Sequence, residues 1–230
     1  METAVKAKKH VICDSPYTLD IDEDTRLNKL ADEHGVVLID NISTLYLQAF
    51  GQLLWMARGN LIGDLVSVKS AISKKQFTGK DVLDFIDLAY YPVCTVVKIL
   101  GPDYDDFNYK TIRDADGNIS YGSINIIYGN SVASVEIGMD MDVDCGIKIL
   151  GFDGYINVPD IWWEIGYFTM QNNNEPQKKR YSSNYEGNGF RYLIQGLLHR
   201  IKSKTAGTQR ITSEESHAIL TILNNINNNK

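Results

Sequence analysis

The stretch KKHVICDSPYTLDID, residues 8–22, contains the features from which the fold is predicted. A short apolar run from His10 to Cys13 ends in Asp14-Ser15-Pro16, and an acidic segment follows. This order is typical of a buried strand that delivers a few polar side chains to a sheet edge before the chain turns into a helix. In an open α/β sheet, sites are usually built where strands end. Asp14 and Ser15 are therefore candidate site residues.

The segments around this stretch predict part of a parallel sheet. Asp20 is suited to cap a helix, and Glu23 would complete a capping box with it. Gly35 is placed to end that helix. Val36 to Ile39 is a continuous apolar run, which is typical of a strand buried on both faces. Residues 1–40 therefore predict the order helix, strand, helix, strand, a piece of a parallel α/β sheet.

The middle of the chain predicts two helices with a strand between them. The helices are expected over roughly Leu45–Ala57 and Asp81–Leu100. Pro92 lies inside the second one, where a proline should kink or interrupt the helix because it removes a backbone hydrogen bond. Residues 64–73 alternate apolar and polar side chains and predict a half-buried strand.

From Phe107 onward the pattern changes to short strand-like runs joined by turn sequences. Short connections of this kind favour antiparallel pairing. Residues 171–187 predict a polar loop, and two helices follow. Thr212 and Glu215 predict a capping box at the start of the last helix. The helix before it has an apolar stripe formed by Phe190, Ile194, Leu197, Leu198 and Ile201.

Composition excludes several classes of function. The net charge of −6 argues against nucleic acid and against an anionic membrane as partners. No apolar run approaches the roughly 18 residues needed to cross a bilayer. The cysteines, Cys13, Cys94 and Cys145, form no CxxC pair, so neither a zinc site nor a disulfide framework is expected. The histidines form no ligand spacing, so no metal is expected. A soluble, cytoplasmic protein is the prediction.

Seven segments, taken in order, resemble the Gfo/Idh/MocA oxidoreductases, the NAD(P)-dependent sugar and inositol dehydrogenases. KHVICDSP (residues 9–16) is similar to the family motif K-H-V-x-C-E-K-P. The resemblance runs from about residue 5 to residue 226. The other matching segments are LADEHGVVLIDN, ARGNLIGDLVSVKS, LDFIDLAYYPV, ILGFDGYINVPDIWW, GNGFRYLIQGLLHRI and ITSEESHAILTIL.

The resemblance implies an α+β fold in two parts. Residues 41–230 would form a dehydrogenase-like C-terminal domain, a large, mostly antiparallel open sheet flanked by helices that binds substrate and mediates oligomerisation. Residues 1–40 would be a remnant of the parallel α/β Rossmann domain. In the family, the dinucleotide binds to a G-x-G-x-x-G turn in that domain, and about a hundred residues that should precede Lys9 are missing. We therefore expect no cofactor-binding residues in this chain, and NAD(P) only if the missing domain is supplied.

The resemblance also suggests site residues. The family's D-x-x-x-H, in which Tyr can replace His, matches Asp87 and Tyr91, which would contact or orient substrate. Alternatively, Tyr91 packs in the core and Asp87 caps or pairs. Asp14 and Ser15 occupy the glutamate and lysine positions of E-K-P. A serine cannot replace the lysine as a cation or tuned acid without an activating base, so this position is degenerate, and Asp14 would then only cap the next turn.

Two functions follow from this pattern. The chain is either the substrate-binding and oligomerisation portion of an NAD(P)-dependent sugar oxidoreductase, not catalytically competent alone, or a degenerate, non-catalytic sugar-binding or scaffold protein. The expected partners are a second copy of the chain bound through the open sheet, a separate chain carrying a Rossmann domain, and a sugar ligand. Whether the chain is an enzyme stays open at this point.

Overall fold

The computed structural model describes residues 1–77, 84–187, 189–203 and 211–228. They form two separate sheets, one of two strands and one of eight. None of the helices in these ranges is long and apolar enough to cross a membrane.

The small sheet is parallel, as predicted. Its strands are β1 (Val11–Cys13) and β2 (Leu38–Asp40), with Val11 opposite Leu38 and Cys13 opposite Asp40. Helices α1 (Glu2–Lys6) and α2 (Ile21–His34) complete this part. Its small core consists of the buried residues Val5, Leu27, Ala31, Val36 and Leu38.

The ends of α2 follow from local sequence. The Asp20 carboxylate accepts hydrogen bonds from the amides of Asp22 and Glu23, at 2.9 and 3.2 Å, so this residue is the predicted N-cap. The predicted return bond from Glu23 is wrong. The Glu23 carboxylate accepts from the Thr18 hydroxyl, and the Asp20 amide donates to that same hydroxyl. Gly35 ends the helix in the left-handed conformation, at φ 64°.

The large sheet has the order β10-β9-β8-β7-β3-β6-β5-β4. The central strand β3 (Leu65–Ser73) is parallel to β6 (Ser131–Gly138) and antiparallel to β7 (Gly146–Gly151), and every other pairing is antiparallel. The fold is therefore α+β with a large, mostly antiparallel sheet. The remaining strands are β4 (Asp106–Arg113), β5 (Ile119–Tyr128), β8 (Gly154–Val158), β9 (Tyr167–Asn172) and β10 (Lys179–Ser182).

Helices cover one face of the large sheet and leave the other face open. Helix α4 (Phe85–Leu100) packs on β3 and β6, and α6 (Ser213–Asn228) packs on α4 and on α2. The Thr212–Glu215 capping box at the start of α6 is present, with bonds of 3.0 and 3.2 Å. The other elements are α3 (Gln48–Arg58), α5 (Phe190–Ser203) and short 3-10 turns over Ser43–Tyr46 and Trp162–Glu164.

Some predictions failed where tertiary contacts override local signals. Helix α4 runs through Pro92 without interruption and begins at Phe85 behind an Asp84 cap, while residues 81–83 lie outside the described ranges. Strand β3 is buried on both faces from residue 70 to 73, because Trp162 donates to the Ala71 carbonyl at 2.7 Å and the chain near Met141 covers the end of the strand.

The two remaining failures concern the end of the chain. The predicted polar loop over 171–187 contains β10, which pairs with β9. On α5 the predicted apolar stripe is covered only in part, since Phe190 and Leu198 are 43% and 48% exposed while Ile194, Leu197 and Ile201 are half-buried. Leu193 and Arg200 are buried. This helix packs against the Ser43–Tyr46 turn, and its packing there decides which face is covered.

Candidate functional site

The carboxyl ends of β1 and β2 meet at one edge of the small sheet. Because Cys13 pairs with Asp40, the residues after each strand lie side by side. The Ser15 hydroxyl donates to Oδ1 of Asp40 at 2.8 Å. The side-chain nitrogen Nδ2 of Asn41 donates to Oδ1 of Asp14 at 2.7 Å. Ser15 is buried, and its bond fixes the Asp40 carboxyl at the strand edge.

Asp40 is the titratable group of this edge. Burial raises the pKa of Asp40 to about 6, and the charge of Asp24 acts in the same direction. The hydrogen bonds from Ser15 and from the Tyr90 hydroxyl, which lies 3.5 Å from Oδ1, act in the opposite direction. A carboxyl with this pKa exchanges a proton near neutral pH, which suits general acid–base chemistry.

Tyr90 connects the strand edge to the large sheet. It lies on α4 and is buried. Burial, followed by the charge of Asp40, raises its pKa well above the usual tyrosine range. Its hydroxyl therefore stays protonated and remains a hydrogen-bond donor toward the Asp40 carboxyl.

A second polar network lies between α2 and α6. Asp24 is 2% exposed. Its carboxylate accepts hydrogen bonds from the Tyr17 hydroxyl, from Asn28 Nδ2 at 3.1 Å and from Ser216 Oγ at 3.2 Å. Burial and the bond to Asp24 raise the pKa of Tyr17, so it stays protonated and keeps donating. This network binds the small part of the molecule to the last helix.

A pocket of about 40 Å³ lies between α2, β2, the Ser43–Tyr46 turn, α5 and the start of α6. Asp40 and Asp24 line one part of it, and Arg200, Thr212 and Ser213 line another. The strand edge therefore faces a small cavity with polar and charged walls.

Comparisons with known proteins bear on this architecture. No known family profile matches the chain. The dTDP-3,4-didehydro-2,6-dideoxy-alpha-D-glucose 3-reductase of Streptomyces violaceoruber is 25% identical over 172 residues, which is 68% of this chain and 49% of the relative. The enzyme of the same name from Actinomadura kijaniata is 23% identical, over 64% of this chain and 45% of its own length. The chain thus spans about half the length of the curated relatives it matches.

Solved structures share the fold over nearly the whole chain. The 3-ketoreductase KijD10 of Actinomadura kijaniata, in complex with NADP and TDP-benzene, superposes with a TM-score of 0.80 at 18% identity, covering 97% of this chain and 71% of that one. The aldose-aldose oxidoreductase of Caulobacter crescentus, complexed with glycerol, gives 0.81 at 13% identity, covering 99% and 71%. The chain therefore shares the fold of these two proteins over nearly its whole length. This fold agrees with the Gfo/Idh/MocA-like fold expected from the sequence.

Within this fold, the predicted site residues occupy two different places. Asp14 and Ser15 lie at the strand edge beside Asp40. Asp87 lies in the first turn of α4, where its amide donates to Asp84 at 2.9 Å and its carboxylate accepts from the Asp84 amide at 3.3 Å. Tyr91 is 5% exposed, and its ring meets that of Phe77 edge-on, with 5.0 Å between centroids. Asp87 thus takes part in the cap of α4 and Tyr91 packs in the core, and their predicted role toward substrate stays a prediction.

The central residues of the site were missed from the sequence. Asp40 ends an apolar run just as Asp14 does, so the rule applied to β1 could have identified it. Tyr90 lies beside the tyrosine that the family motif singles out, and helical spacing does not show which of the two faces the strand edge. Asp24 and Arg200 carry no local signal, because their surroundings come from segments far away in the chain.

Proposed function

We propose that this chain is the substrate-binding and oligomerisation part of an NAD(P)-dependent sugar oxidoreductase of the Gfo/Idh/MocA type. The observation that supports it most is the cluster of Ser15, Asp40 and Tyr90, where two parallel strands end against the helical layer of the large sheet. The similarity to sugar-nucleotide 3-ketoreductases supports a sugar oxidoreductase-like role.

In this proposal Asp40 is the proton-transfer group for a sugar hydroxyl. Interconversion of an alcohol and a ketone requires a proton to leave or reach the oxygen, and a carboxyl with a pKa near 6 can do either near neutral pH. Ser15 and Tyr90 hold that carboxyl by hydrogen bonds. Ser15 occupies the position of the family's lysine. In this proposal the Asp40 carboxyl, held by Ser15, takes over proton transfer from that lysine.

The residues at this edge do not by themselves fit a dinucleotide. Pyrophosphate needs a glycine-rich turn that opens onto a helix N-terminus. Here Asp14-Ser15-Pro16 follows β1, Asp40-Asn41 follows β2, and the first turn of α2 carries Asp22, Glu23 and Asp24, whose charges repel phosphate. We assign no step to the nicotinamide in these residues. Residues 1–40 would contribute strands to a cofactor domain completed by sequence outside this chain.

The open face of the large sheet would be the oligomer interface. An apolar band crosses it, because Ile127 pairs with Val132, and both Val132 and Leu150 flank Ser67 on β3. These three apolar side chains are 40%, 44% and 38% exposed. Exposed apolar bands of this kind favour association with another protein surface.

Self-association through this face is tested by sedimentation velocity at high concentration. Val132→Lys should shift the protein to monomer without lowering its melting temperature, since Val132 is half solvated in a single chain. Trp55→Lys, on α3 and 65% exposed, is the matched control and should leave the assembly unchanged. A monomeric wild type, or equal effects of the two changes, would contradict the proposal.

A second candidate is a sugar-binding or scaffold protein without redox activity. The observation in its favour is Ser15, because its hydroxyl is committed to the Asp40 carboxyl and brings no cation to the site. The two candidates differ in turnover rather than in binding. A neighbouring reading frame that encodes a G-x-G-x-x-G domain, and turnover when the two chains are combined, would favour the enzyme. Sugar binding without turnover in that mixture would favour the second candidate.

Ligand binding is tested by calorimetric titration with dTDP-glucose. The wild type should give a saturable signal, and Asp40→Asn should weaken it roughly tenfold through loss of a charge-assisted hydrogen bond. Asp14→Asn, at the same edge but bonded to Asn41, is the control and should change affinity by less than about twofold. Absence of binding in the wild type would contradict both candidates. Micromolar NADPH binding by this chain alone, seen in nicotinamide fluorescence, would contradict the assignment of the cofactor site to other sequence.

A further inference from the structure

The pocket beside the strand edge contains a cationic side chain whose hydrogen bonding is incomplete. Arg200 on α5 is 9% exposed and lines this pocket. Its Nε is buried and has no hydrogen-bond partner within the described ranges. The described residues also offer the guanidinium no ion pair, because the ion pairs they form involve other basic side chains. A buried guanidinium donor without an acceptor is costly, so its position points to an acceptor supplied by a ligand.

The first turn of α6 faces the same pocket. This helix has 16 residues and begins at Ser213. Thr212, Ser213 and Ser216 line the pocket from this side. Thr212 and Glu215 satisfy each other's amides in the capping box, and the helix dipole places partial positive charge at Ser213 beside them. Arg200 and the start of α6 therefore present hydrogen-bond donors and positive charge to one space from two different elements.

Nearby carboxylates are engaged elsewhere. Glu214 and Glu215 also belong to the first turn of α6, but they line a different pocket, which is shared with Arg58. Glu215 is paired with Lys98 at 2.6 Å. Asp24 already accepts hydrogen bonds from the three donors of its own network. Asp40 also lines the pocket and accepts from Ser15 and Tyr90, so what Arg200 lacks in this pocket is a hydrogen-bond acceptor at Nε.

We propose that this pocket binds one oxyanion, the phosphate or carboxylate group of a small molecule, between the Arg200 guanidinium and the first turn of α6. A guanidinium matches either anion with two parallel N–H donors. The inference does not depend on the proposed redox role, because a non-catalytic protein would hold the same pocket.

The test is a calorimetric titration with inorganic phosphate and, separately, with acetate, both against chloride at constant ionic strength. The wild type should bind at least one of them saturably. Arg200→Gln should weaken that binding roughly tenfold to a hundredfold, as expected for a lost hydrogen bond to a charged group. Arg191→Gln is the matched control on the same helix, since Arg191 is half exposed and pairs with Glu186, and it should leave affinity unchanged. The anion that binds shows whether the acid group of the ligand is a phosphate or a carboxylate.

A second measurement uses only the wild type and holds even if Arg200→Gln does not fold. In amide NMR spectra, the bound anion should shift the signal of Ser213 and the side-chain Nε–H signal of Arg200 along one saturable curve. The inference is overturned if neither anion binds saturably, if Arg200→Gln and Arg191→Gln bind equally, or if only exposed basic residues shift. Because the ligand carries no sugar and the variant leaves Asp40 intact, this result is separate from the dTDP-glucose test.

Discussion

The two sheets of this molecule are stabilised in different ways. The eight-stranded sheet is covered on one face by α4 and α6, and its core contains many fully buried side chains from almost every strand. The two-stranded sheet has three residues per strand, and all of β1 is half-buried. Among the described residues, the apolar cluster that supports it has five buried members. A two-stranded sheet is marginal on its own.

Polar side chains lie at the junction between the part of the molecule with the small sheet and the part with the large sheet. The small part is joined to the large one by hydrogen bonds as well as by packing. Ser216 bonds to Asp24, Thr25 to His217 at 3.0 Å, and Tyr90 approaches Asp40 at 3.5 Å. The two apolar cores are separate clusters, so polar side chains help to hold the junction, and two of them, Tyr90 and Asp40, also belong to the candidate site. If the two parts unfold separately, substitutions in each part should have different effects on stability.

The largest effect is expected from Lys98→Met. Lys98 on α4 pairs with Glu215 on α6 at 2.6 Å, and the two side chains are 11% and 6% exposed. Removing the lysine leaves a buried carboxylate without its close partner, which should lower the free energy of unfolding by about 3–5 kcal/mol in urea titrations. Arg58→Met, at 3.8 Å from the other Glu215 oxygen and 47% exposed, should cost less than about 1 kcal/mol. Equal losses would show that the pair is not the main link between α4 and α6.

Leu27→Ala tests whether the small part unfolds separately. Leu27 is 2% exposed in the small core, and its truncation should cost about 2–4 kcal/mol. Hydrogen exchange should show lost protection for amides of β1 and β2 and unchanged protection for β5 and β6. Ile126→Ala, fully buried under the large sheet, is the counterpart and should reduce protection in both sheets. If Leu27→Ala reduces both equally, the molecule is one cooperative unit.

Asp40→Asn should remove a pH dependence of stability. Burial raises the pKa of Asp40 to about 6 in the folded state, above the unfolded value near 4. The folded state then binds this proton more tightly, so its contribution to stability is present below pH 4 and is lost as pH rises through 6. Relative to wild type, Asp40→Asn should gain about 2.5 kcal/mol at pH 7 and less than about 0.5 kcal/mol at pH 4.

Urea unfolding of both proteins between pH 4 and 7.5 measures this difference. Asp14→Asn, at the same strand edge, is the control and should follow the wild-type profile. Parallel profiles for wild type and Asp40→Asn would show that the carboxyl is not desolvated at the junction.

The smallest effect is expected from removing helix caps. Asp20→Ala on α2 and Asp84→Ala on α4 each remove a side chain that caps a helix, at a cost of about 1 kcal/mol. The comparison predicts different readouts. Asp20→Ala should raise hydrogen exchange only in residues 11–40, whereas Asp84→Ala should lower the global urea midpoint. A global effect from Asp20→Ala would contradict separate unfolding of the small part.

Much of the fold could be predicted because its signals are local. The caps at Asp20 and Thr212, the stop at Gly35 and the turns after Phe107 depend on neighbouring residues alone. Strand β3 was harder, because its buried end is covered by segments about 70 and 90 residues away. The buried face of α5 was also missed, since a helix with apolar residues around much of its surface does not specify which side will be packed.

In the candidate site, too, some residues could be predicted from local sequence and others could not. Asp14 and Ser15 could be predicted as strand-end residues, and their pairing with the next strand end follows from parallel topology. The sequence by itself determined the element order, the helix ends and the strand edge. The tertiary structure decided that Ser15 meets Asp40, that Tyr90 rather than Tyr91 reaches this carboxyl, and that Arg200 is buried beside the start of α6. The physical reason is that hydrogen bonding, desolvation and charge depend on which distant segments come together, and local sequence does not encode those distances.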